Sequence, residues 1–145
     1  MTGQAPRDDD DSTIKAVLKR TRTIVVVGAS PKPVRPSNQV MRFLIERGYD
    51  VVAVNPGHAG GSIRDRPCYA SLAEVPHALD MVDVFRSPDA VPAVVDDVLS
   101  LGQRPSTLWL QLGVVHPEAE RRAREAGLTV VADRCPKIEV ARLGL

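Results

Sequence analysis

The chain has 145 residues, 43% of them hydrophobic and 26% charged, and a formal net charge of +1. That length suits one domain built on a five-stranded sheet, and the composition is that of a folded globule rather than a disordered segment. Near-neutral charge gives no reason to expect nucleic acid or an anionic membrane surface as a partner, and an aromatic content of 3% leaves few stacking platforms for single strands.

No apolar run approaches the ~20 residues that span a bilayer, and the first residues carry acid where a secretory signal carries base. A cytoplasmic protein without a membrane partner is expected. Cys68 and Cys135 have neither metal-motif nor disulfide-framework spacing, so both are expected as reduced, semi-buried small residues.

Residues 1–11 end in four aspartates and read as a flexible tail; residues 12–145 read as a single domain. Ser12 is expected to cap a short helix with Ile14, Val17 and Leu18 on one face. Residues 23–27, a β-branched run, predict a strand buried on both faces. It ends at Gly28, and a proline-rich loop follows to Pro36. Ser37 is expected to cap a helix over 38–47, with Gly48 as its stop. A second strand is predicted over 50–54, cut off by Asn55-Pro56-Gly57.

The glycine-rich stretch 56–66 reads as irregular, with a helical turn at 71–75. A third strand is predicted over 79–85. Ser87-Pro88-Asp89 reads as the capped start of a helix running to Ser100. A fourth strand over 107–112, a helix opened by Pro117, a fifth strand over 128–132 and a short helix over 137–142 complete the chain. Apolar strands alternating with helices predict an α/β, Rossmann-like three-layer fold, a five-stranded parallel sheet with helices on both faces.

In such sheets ligands bind beyond the carboxyl ends of the strands, at the switch point beside the first strand. The loop after that strand is therefore the first candidate. Gly28 permits a tight turn, and small Ala29 and Ser30 let backbone amides approach an anion. The helix that follows adds its positive N-terminal end. Lys32 and Arg35 add full charges, and Arg35 can hold a phosphate bidentately. The loop departs from the GxGxxG dinucleotide fingerprint, because Ser30 and Pro33 stand where glycines belong. Nor does an acid close the second strand, where Val54-Asn55 stands instead. Both departures argue against a nicotinamide enzyme, and no P-loop motif is present.

Six segments together resemble the small stand-alone CoA-binding proteins. They are Val27-Gly28-Ala29-Ser30-Pro31, Arg35-Pro36-Ser37, Val54-Asn55-Pro56, Val82-Asp83-Val84-Phe85-Arg86, Trp109-Leu110-Gln111-Leu112-Gly113 and Asp133-Arg134-Cys135-Pro136-Lys137. That family is similar in turn to the N-terminal domain of the succinyl-CoA synthetase alpha subunit, and the resemblance covers the chain from Thr21 onward. It implies coenzyme A or an acyl-CoA as the cofactor, held by the loop Gly28, Ala29, Ser30, Lys32, Arg35, Pro36 and Ser37. It also implies contacts from Asn55, Pro56 and His58 after strand two, and from Phe85 and Arg86 after strand three. His58 stands about where the synthetase has a lysine, so its contact would be weaker and pH-dependent. Phe85 would lie against the adenine or the pantetheine arm, or else pack in the core, and Arg86 would pair with a phosphate.

The remaining chemistry is sparse. Gly57-His58-Ala59-Gly60 matches the string around the phosphohistidine of the synthetase, but that string belongs to the synthetase's second domain and here sits in a turn. Phosphohistidine chemistry is therefore not expected. Cys135 lies past the last strand with Arg134 and Lys137 beside it, so a mixed disulfide with the CoA thiol is one chemistry open to it. His77 reads as solvated and His116 as a helix cap, and no metal site is expected. No nucleophile elbow is present.

The leading expectation is a CoA-binding module without catalysis of its own, a monomer or homodimer whose protein partner, if one exists, is unidentified. The alternative is a nucleotide-dependent enzyme, either an NAD(P)-linked oxidoreductase or an acyl-CoA ligase component acting with a separate subunit.

Overall fold

A computed structural model describes residues 10–145, so most of the expected tail lies outside the described residues. Twelve regular elements follow in chain order: α1 (Asp11–Arg20), β1 (Thr23–Val27), α2 (Pro36–Glu46), β2 (Asp50–Val54), β3 (Ser62–Ile63), β4 (Arg66–Tyr69), β5 (Met81–Val84), α3 (Val91–Leu99), β6 (Thr107–Leu110), α4 (Pro117–Glu125), β7 (Thr129–Val131) and α5 (Pro136–Arg142). They build one sheet in the order β3-β4-β2-β1-β5-β6-β7, parallel throughout except for the β3–β4 pair.

The five strands predicted from apolar runs are all present and parallel, but the sheet has seven. The extra pair is a hairpin that begins in the stretch 56–66 expected to be irregular and runs past it to Tyr69, with Ser62 opposite Pro67 and Ile63 opposite Arg66. Its two-residue turn places Arg64 at φ 52° and Asp65 at φ 62°. Such a turn normally carries Asn or Gly, and neither is here to announce it. The strand β4 also contains Pro67, which removes a ladder donor and hides the strand from pattern reading.

Each face of the sheet has its own core. Valines of β1, β2 and β5 alternate, so that Val25, Val52 and Val82 meet Val91, Val94, Val95 and Val98 of α3 and Ala119 and Ala123 of α4. On the other face Ile24, Val26, Val51 and Met81 meet Ile14 and Val17 of α1, Met41 and Leu44 of α2 and Val140 of α5. Strands buried on both sides need this continuous apolar character, which explains the uninterrupted Thr-Ile-Val-Val-Val of β1.

Two helix starts differ from expectation. Asp10, not Ser12, caps α1: its carboxylate accepts from the Thr13 N–H at 2.7 Å and from the Ser12 hydroxyl at 3.1 Å. The Thr13 bond, stronger to the ionised form, holds that carboxyl below its usual value. A charged cap at the positive end of a helix outcompetes a hydroxyl two residues on. Ser37 is likewise not a cap. The helix α2 begins at Pro36 with Arg35 as its N-cap, and the Ser37 hydroxyl is turned to the preceding loop. Ser87 makes no capping bond either; a 3-10 turn over Pro88–Ala90 comes before α3. His116 does cap α4, its Nδ1 accepting from the Ala119 N–H at 3.2 Å.

One residue breaks the apolar rule of the core. Asp83 lies in the centre of β5, in register between Val26 and Trp109, with no exposed surface. Neither carboxyl oxygen has a hydrogen-bond partner, and burial pushes its pKa well above the ordinary carboxylate value of 3.8.

Candidate functional site

The chain leaves β1, crosses to β2 on one side of it, and returns to β5 on the other. The carboxyl ends of β1 and β5 therefore diverge, which is the geometry that opens a crevice in such sheets. A cleft of about 650 Å³ occupies this place, lined by Gly28, Ala29, Ser30, Lys32, Arg35, Pro36, Ser37, Asn55, Phe85 and Arg86. Every residue predicted for the first loop lines it, as do the two predicted after β5.

Backbone geometry at Gly28 makes the cleft possible. Its φ is +85°, and a Cβ built there would sit 2.2 Å from the Phe85 carbonyl oxygen. Only glycine lets the β1 and β5 ends run this close while the chain turns into the loop. The Gly28 N–H then donates to the Val54 carbonyl at 3.0 Å, continuing the sheet one residue further.

Polar side chains, rather than glycines, fix the loop. The Ser30 N–H donates to the Ser37 hydroxyl at 3.1 Å, and the Lys32 N–H donates to the Ser30 hydroxyl at 3.1 Å. Asn38 Nδ2 donates to the Ser30 carbonyl at 2.9 Å, and Asn55 Nδ2 donates to the Ala29 carbonyl at 2.8 Å. Arg64, from the unexpected hairpin, holds Asn38 in turn through an Nε–Oδ1 bond of 2.6 Å. The expectation that loop amides meet an anion directly is thus modified. The Ser30 and Lys32 amides are already engaged, and the positive charge of the cleft comes from side chains and from the start of α2.

Three cations stand at the cleft: Lys32, Arg35 and Arg86, all exposed, and no hydrogen bond or ion pair engages their side chains among the described residues. No Asp or Glu lines the cleft. Like charges gathered at one concave site raise the positive potential there, although all three are exposed and screened by water and salt.

Pro56 and His58 fall outside this cleft. Pro56 lines an adjoining cavity of about 400 Å³ that shares Gly28, Ala29, Asn55 and Arg86 with it and continues past Ser71 and Leu72. His58 lines neither cavity; its Nε2 lies 3.0 Å from the Ser62 carbonyl, tying the turn after β2 to β3. His77 is exposed, as expected.

The far wall of the cleft is Gln111, Leu112 and Val114, from the loop after β6. These were missed as site residues, although their place just past a strand end was a usable signal. That loop is held by Asp133, whose carboxylate accepts from the Gly113 N–H at 2.7 Å while its own backbone stands at φ 58°. The fully buried Trp109 donates from Nε1 to the Arg134 carbonyl at 2.8 Å and so pins the following segment. Both cysteines are buried and unpaired with each other. Burial pushes the Cys68 thiol up, and Cys135 stands at the start of α5, 6% exposed.

A doubly wound, mostly parallel sheet with an acid-free cationic cleft at its switch point defines a Rossmann-like α/β domain. The chain belongs to the CoA binding domain family, which it matches over residues 22–141. It is similar to the uncharacterized protein YneT of Bacillus subtilis, 35% identical over 127 residues, covering 86% of this chain and 90% of that one. The solved structure of cell-free ID.343 from Thermus thermophilus superposes with a TM-score of 0.87 at 42% identity, covering 92% of this chain and 98% of that one. The chain is also related to the alpha subunit of the ADP-forming acetate–CoA ligase I of Pyrococcus furiosus, 31% identical over 84 residues, a match that spans 55% of this chain and 18% of that subunit. Among the described residues no helix is long and apolar enough to cross a membrane.

Proposed function

We propose that this protein binds coenzyme A or an acyl-CoA in the switch-point cleft and carries out no chemistry of its own. The observation that carries this reading is the trio Lys32, Arg35 and Arg86, unopposed by any acid in the cleft. A diphosphate with a further ribose phosphate is an anion of matching charge. The adjoining cavity past Pro56, Ser71 and Leu72 receives the adenosine end, and the thiol arm leaves along Gln111. Membership of the CoA binding domain family supports the same ligand.

The end of β2 speaks against a nicotinamide dinucleotide. Asn55 stands where an acid would grip the ribose, and its side chain is spent inside the protein: Nδ2 donates to Ala29, and Oδ1 accepts from the Gly57 N–H at 2.9 Å. Calorimetric titration with CoA, dephospho-CoA, NAD and NADP tests the proposal. Saturable binding of CoA, weakened in dephospho-CoA, is expected; saturable NAD binding without CoA binding overturns it.

A second reading, favoured by the relationship to the acetate–CoA ligase subunit, makes the chain a CoA-binding component of a larger ligase. It predicts that CoA release from acetyl-CoA with ADP and phosphate requires a separate subunit, whereas the binding module alone releases none.

A further inference from the structure

We propose that the ligand is an acyl-CoA whose acyl group lies in the groove between α2 and α5, an inference that rests on the coenzyme A reading of the cleft. The groove encloses about 540 Å³ and is walled by Val40 and Phe43 of α2 and by Cys135, Ile138 and Ala141 at α5. It opens into the cleft, since Pro36, Gln111 and Leu112 line both. A chain leaving the cleft past β6 therefore continues along a mostly apolar groove, bordered also by Gln39 and Lys137.

Two independent features mark this channel as a place for a ligand. Leu112 and Ile138, 55% and 49% exposed, are two of the four large apolar side chains left exposed among the described residues, and both line it. Exposed apolar surface gathered along a concavity signals an occupant. The other feature is Gln111, only 7% exposed, whose Oε1 is buried without a hydrogen-bond partner. Buried acceptors are nearly always satisfied, and because Gln111 lines both the cleft and the groove, a rotation of its terminal amide presents that acceptor to an N–H of the ligand. The pantetheine arm of CoA carries two amide N–H groups along its length. With one of them on Gln111, the sulfur comes to the mouth of the groove and whatever is esterified to it lies inside. An apolar acyl group then gains burial in proportion to its length, and free CoA gains none.

The test is titration of the full chain with CoA, acetyl-CoA and hexanoyl-CoA, repeated on Ile138→Asp and Ile138→Ala. Hexanoyl-CoA is expected to bind at least tenfold tighter than CoA, with acetyl-CoA between them. Ile138→Asp should abolish that preference and leave the affinity for CoA within twofold; Ile138→Ala should reduce it in the same direction. Gln111→Leu should weaken CoA about tenfold while leaving ADP, which lacks the arm, unaffected. Equal affinity for the three ligands overturns the acyl site but leaves CoA binding standing. Failure of all three to bind sinks the CoA reading itself. If Ile138→Asp splits a dimer and leaves the three affinities unchanged, the groove is a subunit contact and the proposal is overturned.

Discussion

Gly28 and Phe85 meet where β1 and β5 end: a Cβ on Gly28 would lie 2.2 Å from the Phe85 carbonyl oxygen, and the glycine backbone stands at φ +85°. The contact joins the loop that carries Lys32 and Arg35 to the strand end that carries Arg86. Close approach of two main chains at this point sets the width of the cleft.

Gly28→Ala should therefore cost stability twice over. The left-handed conformation is disfavoured for any residue with a Cβ, by roughly 1–2 kcal/mol, and the clash with main chain cannot be relieved by a rotamer change. A total loss of about 3 kcal/mol or more is expected in urea denaturation, near the upper end for single substitutions. A loss below about 1 kcal/mol would show that the strand ends can separate freely.

Arg35→Ala should leave the fold intact, because the side chain is exposed and unengaged among the described residues. It should weaken CoA binding by about 1.5–3 kcal/mol, the range for a hydrogen bond to a charged group. An unchanged affinity in calorimetry removes Arg35 from the site. His58→Ala is the internal contrast: with its ring on the Ser62 carbonyl and outside both cavities, it should alter CoA affinity by less than twofold.

Asn55→Ala removes the donor to the Ala29 carbonyl and the acceptor for the Gly57 N–H together. Two neutral hydrogen bonds are worth about 1–3 kcal/mol in sum. Part of that loss should appear as weaker CoA binding, since the loop between β1 and α2 is no longer held in place. Equal CoA affinity with lowered stability would place Asn55 in the fold alone.

Asp83 predicts an unusual pH profile. Its folded pKa is raised well above 3.8 by burial, so its unfolded form ionises first as pH rises. The stability it allows is fully present below about pH 4, where both forms are protonated, and is lost as pH climbs to the folded value. Each unit of separation costs about 1.4 kcal/mol. Asp83→Asn does not titrate, so its stability relative to the wild type should rise across this window. Parallel profiles of the two proteins in denaturant titrations at pH 4 to 8 would show that Asp83 is not buried.

The residues alone determined the five parallel strands, the helices between them and the place of the cleft. Short β-branched runs such as residues 23–27 favour a strand covered on both faces, and a covered parallel sheet puts its crevice at the switch point. The loop from Gly28 to Ser37 was legible for the same reason: small residues, two cations and a helix start follow the first strand directly. Local pattern could not reveal the β3–β4 hairpin, because Arg64 and Asp65 take left-handed conformations with no glycine to announce them. Nor could it reveal that Ser37, Asn38 and Asn55 spend their polar groups bracing the loop, or that Gln111 is left with an empty acceptor. Those outcomes depend on which strand ends lie side by side. Only the tertiary structure decides which hydrogen-bonding groups find partners within the chain and which are left without one.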